Sequence, residues 1–275
     1  MFLPAVMMNG VLLFLIQTEC SLHQPMFFFL AMLSFVDLVL SLSTLPKKLA
    51  IFWFGVTIIS SHSCLSQMFF IHAFSAIESG VLVAMALDHF VAIFYPLHYP
   101  TILTPVVVIK IGGLVVLSGV GLTISFLCLA HFLPYCGLHM IAYTYFEHMV
   151  VVKLGCAITT VNSLYAFAVT IFLGVGDVAF IVCSYGEIVR TVMHFPPPEA
   201  HAKAGSTWMV HVCAILFFYG PGFLSLAMQW FGPLTASAVK VILANLYLLF
   251  PPTGPHCVWS QDQADMGIAV HNNNP

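Results

Sequence analysis

Charge is what this sequence has least of: 6% of its 275 residues are charged, where a soluble domain carries about a quarter. Hydrophobic residues make up 61%. That imbalance excludes an ordinary globular protein and points to an integral membrane protein with several helical spans. No cluster of Lys or Arg exists anywhere among the 7 basic residues, which excludes nucleic acid as a partner. The formal charge of −3 rests on too few groups to indicate any other one. No G-x-S-x-G, H-E-x-x-H or P-loop is present, and the 13 histidines have no ligand spacing. An enzyme, a bound metal and a cofactor are therefore not expected. The 8 cysteines of a multispan chain are no disulfide scaffold. The opening "MFLPAVMMNGVLLFLIQ" lacks a basic n-region and a small-residue cleavage site, so it reads as a retained span. Internal repeats are missing as well.

What is present is a series of apolar runs: Met1–Ile16, Met26–Ser43, Leu65–Phe94, Val106–Leu133, Ile158–Val182, Val210–Val239 and Val241–Pro252. The five interior runs approach or exceed the roughly 20 residues that cross a bilayer, and the two terminal ones fall short. All should be helices, because each segment in lipid must satisfy its own backbone polar groups. "YPLHYP" (Tyr95–Pro100) and "FPPP" (Phe195–Pro198) read as loops. The sparse basic residues fall on both sides, so charge gives no orientation.

Ionisable residues inside spans are costly and are functional candidates by default. Asp37 is either a cation or polar-network residue, or a packing hydrogen bond to Asn9. Glu78 and Asp177 read as interhelical hydrogen-bonding groups. His72, Ser75 and Ser79 recur at i, i+3 and i+7 and share one face of the third run. Such a stripe faces protein or water, so it lines a pocket or joins helices.

Several longer stretches resemble one family. "LHQPMFFFLAMLSFVDLVLSLSTLPKKLAIFWF" (Leu22–Phe54), "MALDHFVAIFYPLHYPTILT" (Met85–Thr104), "CSYGEIVRTV" (Cys183–Val192), "KAGSTWMVHVCAILFFYGP" (Lys203–Pro221) and "ILANLYLLFPP" (Ile242–Pro252) look like the odorant receptors among rhodopsin-like G-protein-coupled receptors. The second span, the third span and the "EHM" loop resemble the class I, fish-like branch. The likeness runs from about Asn9 to Pro252. It implies an all-α membrane protein, a seven-helix bundle over residues 1–252, with an extracellular N-terminus and with helices one and seven incomplete. It further implies odorant binding in the outer half, an olfactory stimulatory G protein as partner, and a multi-pass place in the plasma membrane among lipid. A multispan transporter or channel subunit is the alternative, disfavoured because no paired hydropathy halves appear.

Carried over residue by residue, Asn9 and Asp37 match the inner polar pair of the first two helices. Tyr185 matches the tyrosine that moves on activation, and Tyr219 the aromatic at the pocket floor. His72 matches a pocket-facing position; with Ser75, Ser79, Tyr219, Leu226 and Trp230 it makes the implied ligand set. The departures are as informative. Where the family reads "DRY", this chain has Asp88-His89-Phe90, and a histidine, shorter and mostly neutral, cannot supply arginine's fixed charge and five donors. Cys136 and Cys156 keep the implied loop pairing, but the middle loop cysteine is Phe146, leaving Cys64 without its implied partner. Gln229-Trp230-Phe231-Gly232 stands where class I receptors often carry "HRFG", so a carboxylate finds no arginine there. Trp208 replaces a cysteine, an enlargement that costs about 1–3 kcal/mol where packing is tight.

The last expectation concerns residues 253–275. The family continues "NPIVYGVKTKQI", and this chain continues "PHCVWSQDQAD" (Pro255–Asp265). A suitable synonymous coding of the family segment, read one frame over, yields that run residue for residue. The tail is thus expected to be out of frame, with no stable tertiary contacts, and the product to be retained in the endoplasmic reticulum without signalling.

Overall fold

A computed structural model describes residues 2–18, 25–54, 61–131 and 160–194, with residues 212, 215–216, 218–220 and 223 of the sixth apolar run. Six helical elements follow in order: α1 (Phe2–Thr18), α2 (Pro25–Phe54), α3 (Ser61–Phe94), α4 (Tyr99–Ile102), α5 (Pro105–His131) and α6 (Thr160–His194). The described residues of the sixth run are helical too, and no strand occurs among the described residues. Four helices are long and apolar enough to cross a membrane, within Pro25–Thr44, Ser66–Phe94, Pro105–Leu129 and Phe167–Thr191. The all-α class expected from the apolar runs is what the chain adopts.

Helix ends overrun several of the apolar runs. α6 continues past Val182 through the polar "SYGEIVRTVMH" to His194, and α2 continues past Ser43 to Phe54. Hydropathy marks where lipid ends, whereas the backbone ladder stops only where a breaker or a turn stops it. At 34 residues α3 is about 51 Å long, well beyond a hydrocarbon core of about 30 Å, so its last turns reach the interface. After α3 a turn over residues 96–98 leads into α4, with Pro100 in its first turn, so the expected loop holds one turn of helix.

α3 is the centre of the bundle: α2, α5 and α6 all pack on it, and α1 packs on α2. Leu30, Leu33 and Val36 of α2 share one buried core with Val81, Leu82 and Met85 of α3, Leu12 and Ile16 of α1, and Ile181 and Ile188 of α6. The outer helices turn large apolar side chains outward, among them Leu114 and Leu117 of α5 and Phe172 and Val182 of α6. In water that surface would be a liability, and in lipid it is a solvent-matched face.

Helices in lipid gain nothing from hydrophobic association and approach through small residues. Gly119 of α5 sits so close to α3 that an added β-carbon would lie 2.7 Å from Ile77 Cγ1 and 3.1 Å from the Ala73 carbonyl. Hydroxyls in this apolar setting bond back to their own helix: Ser34 to the Leu30 carbonyl at 3.0 Å, Thr44 to Leu40 at 3.0 Å and Thr123 to Gly119 at 2.9 Å.

Candidate functional site

Ser79 of α3 is the point where three elements meet. Its hydroxyl donates to Asp177 Oδ2 of α6, and its Oγ lies 2.6 Å from the Tyr219 hydroxyl. A serine has one proton to give, and a carboxylate only accepts. With that proton committed to Asp177, Tyr219 must donate to Ser79. The order is therefore Tyr219 to Ser79 to Asp177, with a longer contact of 3.4 Å from Tyr219 to Asp177 directly. Asp177, singled out in the sequence for sitting mid-span, is the terminal acceptor of an interhelical chain, as the hydrogen-bonding reading expects.

Two turns along α3, the His72 ring stacks on Phe126 of α5, centroids 5.7 Å apart, and Phe126 meets Tyr165 of α6 edge-on at 5.1 Å. Ser75 lies between His72 and Ser79 and is half-buried. The polar stripe is thus divided: its one end joins an aromatic group shared with α5 and α6, and its other end joins the hydrogen-bond chain.

Next to Ser79 on α3, Glu78 is buried, as is Asp37 of α2, and the two carboxyls are close enough to interact electrostatically. Neither oxygen of Asp37 makes a hydrogen bond among the described residues. The expected bond from Asp37 to Asn9 is therefore not formed, although both residues are fully buried. The buried Oε2 of Glu78 and Oγ of Ser41 likewise lack hydrogen-bond partners there.

At the inner end of α3, Asp88 is buried and Oδ1 accepts a hydrogen bond from the Tyr99 hydroxyl at 2.8 Å. Burial, and then the Asp88 charge, push the Tyr99 phenol above the ordinary tyrosine range. His89 Nδ1 lies 3.7 Å from Asp88 Oδ2, and its ring meets Tyr185 of α6 edge-on at 6.4 Å. Three of the residues matched to activation motifs by resemblance, Asp88, His89 and Tyr185, thus gather at one place, while Asn9 and Asp37 lie apart from it.

Sequence reasoning missed Tyr99, Phe126 and Tyr165. Tyr99 sits in a stretch read as a loop, and the two aromatics are unremarkable members of apolar runs, so no local signal marks them. Leu226, Trp230, Cys136, Cys156, Phe146, Trp208 and the 253–275 tail lie outside the described residues. Cys64 falls in the first turn of α3. Among the described residues Cys128 and Cys183 are free and exposed, and no three His, Cys, Asp or Glu side chains converge as a metal site.

Long apolar helices around a central one, joined inside by serine, tyrosine and carboxylate, define a multispan helical membrane bundle. The olfactory receptor family model matches residues 1–270. Olfactory receptor 52N4 of Homo sapiens is 46% identical over 254 residues, covering 92% of this chain and 79% of its own. Olfactory receptor 52R1 is 48% identical over 252 residues (90% and 79%), and 52K1 is 46% identical over 248 (90% and 79%), both from Homo sapiens. The chain belongs to the olfactory receptor family. It is an odorant-binding G-protein-coupled receptor and a multi-pass membrane protein, with the seven-helix bundle of that family, and it is not an enzyme. The transporter or channel alternative falls with that assignment.

Proposed function

We propose that this receptor, a class I member by its motifs, holds its odorant in the outer half of the bundle against His72, Ser75 and residues of the sixth span that include Leu226 and Trp230. Occupancy is then passed inward through Tyr219, Ser79 and Asp177. The observation that carries this reading is the three-member hydrogen-bond chain, since it couples the sixth span to both α3 and α6 directly beneath the aromatic group around His72. A ligand that displaces the sixth span must stretch or exchange these bonds, and α6 carries Tyr185 two turns further inward.

The same reading treats the product as impaired. His89 replaces the fixed cation of the inner face, and Cys64 has lost its implied loop partner, a bridge worth about 2–4 kcal/mol. Residues 253–275 are an out-of-frame tail in place of the rest of the seventh helix. The three named relatives cover 90–92% of this chain. The family match, which reaches residue 270, does not by itself mark a boundary at Pro252. Retention in the endoplasmic reticulum follows from the lost bridge and the lost helix.

The test is heterologous expression with surface staining and a cAMP readout against an odorant panel, for the chain and for His89→Arg. Intracellular staining and no odorant-evoked cAMP from either are expected. A clear response from His89→Arg alone would show that the lesions are not independent and numerous.

A further inference from the structure

We propose that Phe126 of α5 sets the length of the odorant this receptor accepts, an inference that rests on the reading that the odorant lies along His72 and Ser75. The seam between α3 and α5 changes width along its course. At Gly119 it is closed, since an added β-carbon would lie 2.7 Å from Ile77 Cγ1. Seven residues further along α5, about 10 Å of rise, the same seam holds two whole rings. Phe126 and His72 stack there with centroids 5.7 Å apart and planes at 24°. Phe126 is 9% exposed, whereas Ile124, Ser125 and Cys128 beside it on α5 are exposed. Its ring is therefore turned inward, and it meets Tyr165 of α6 at 5.1 Å with planes at 63°. One side chain thus fills the space between α3, α5 and α6.

The two ends of the ligand's place differ in kind. His72 and Ser79 are seven residues apart, so about 10 Å of α3 separates the aromatic group from the hydrogen-bond chain. The end formed by Tyr219, Ser79 and Asp177 is polar and ties α3 to α6 and to the sixth span. Among the described residues both contacts of Asp177 fall on Oδ2, so Oδ1 is left to accept from a ligand hydroxyl. The Phe126 end offers carbon. A straight-chain alcohol therefore lies with its hydroxyl toward Asp177 and its tail ending on the Phe126 ring. The polar end cannot retreat without breaking its bonds, so the room for the tail is set by the side chain at residue 126.

Removing that ring opens an apolar space walled by His72 and Tyr165. Such a space stays dry and takes a hydrocarbon group. Each methylene of a longer tail that enters it gains about fourfold in affinity, the ordinary worth of one buried CH₂. A ring that only held the helices together would act differently: its loss would weaken every chain length alike.

The experiment uses the full chain purified in lipid nanodiscs, with straight-chain primary alcohols from butanol to dodecanol that carry a photoreactive diazirine. Labelling of α3 and α6 peptides is read by mass spectrometry. Only labelling that excess unmodified alcohol of the same length competes away is counted, which sets aside probe dissolved in lipid. The competition curves give an affinity for each length. The wild type is expected to favour a short member and to lose affinity beyond it. Phe126→Ala is expected to move the optimum to longer members, with about a fourfold gain per added methylene. Against failure of Phe126→Ala to fold, Phe126→Leu keeps an apolar side chain in place and is expected to move the optimum the same way by less. An optimum that stays still in these variants, or a uniform loss at every length, overturns the proposal and leaves the odorant reading standing. No competed labelling of α3 and α6 in the wild type overturns the odorant reading, and the proposal falls with it.

Discussion

Ser79 is the hub of the Tyr219–Ser79–Asp177 chain, and replacing it with alanine should cost more stability than removing either end. Ser79→Ala deletes a bond to a carboxylate, worth about 1.5–3 kcal/mol, and a neutral bond to Tyr219, worth about 0.5–1.5 kcal/mol. Interhelical bonds in membranes tend to fall at the low end, about 0.6 kcal/mol on average. An expected total of about 2 kcal/mol follows, because Asp177 keeps only the 3.4 Å contact to Tyr219. Tyr219→Phe deletes the neutral bond to Ser79 and the long 3.4 Å contact to Asp177 but leaves Ser79 donating to Asp177, so about 0.5–1 kcal/mol is expected. Thermal unfolding of the purified receptor reads the difference, at about 2–4 °C per kcal/mol for a chain of this size. The double variant should lose only slightly more than Ser79→Ala, since the Tyr219–Ser79 bond is already gone in it and only the long 3.4 Å contact to Asp177 is left to remove. Equal losses from the two single variants, or strict additivity in the double, would refute the proposed order of donors.

Gly119→Ala should lower the unfolding midpoint by several degrees, since overpacking costs about 1–3 kcal/mol and two of its three close contacts are α3 backbone atoms that cannot move aside. Gly121→Ala on the same helix has open space around it and should change little, so matching losses would contradict the close α3–α5 seam. Tyr99 should ionise only above the ordinary range near pH 10, as absorbance at alkaline pH would record. A raised folded-state value means that stability is intact below pH 10 and declines as pH rises beyond it, so Tyr99→Phe should flatten that alkaline decline. An unchanged profile would argue against the Asp88–Tyr99 bond.

The scarcity of charge and the length of the apolar runs sufficed to specify a helical membrane protein, because a chain in lipid has no other open structure available. The motifs around Asp37, Asp88, Tyr185 and Tyr219 were enough for the family, since they are long, ordered stretches rather than isolated residues. The i, i+3, i+7 spacing also put His72, Ser75 and Ser79 on one face of α3. Their fates were beyond its reach. Spacing along one helix says nothing about which neighbour stands opposite, and only the packed bundle sends Ser79 to Asp177 and Tyr219, 98 and 140 residues away in the chain, and lays His72 on Phe126. Asn9 and Asp37 show the converse: a pairing plausible from the sequence is not made, since neither Asp37 oxygen accepts a hydrogen bond although both residues are fully buried. Tyr99 was hidden for the same reason, a loop tyrosine whose meaning appears only when α4 brings it to the Asp88 carboxylate. Composition fixes the solvent a chain must suit, and that governs every residue alike; partners are set by helix rotation and register, which depend on all the side chains at a seam at once.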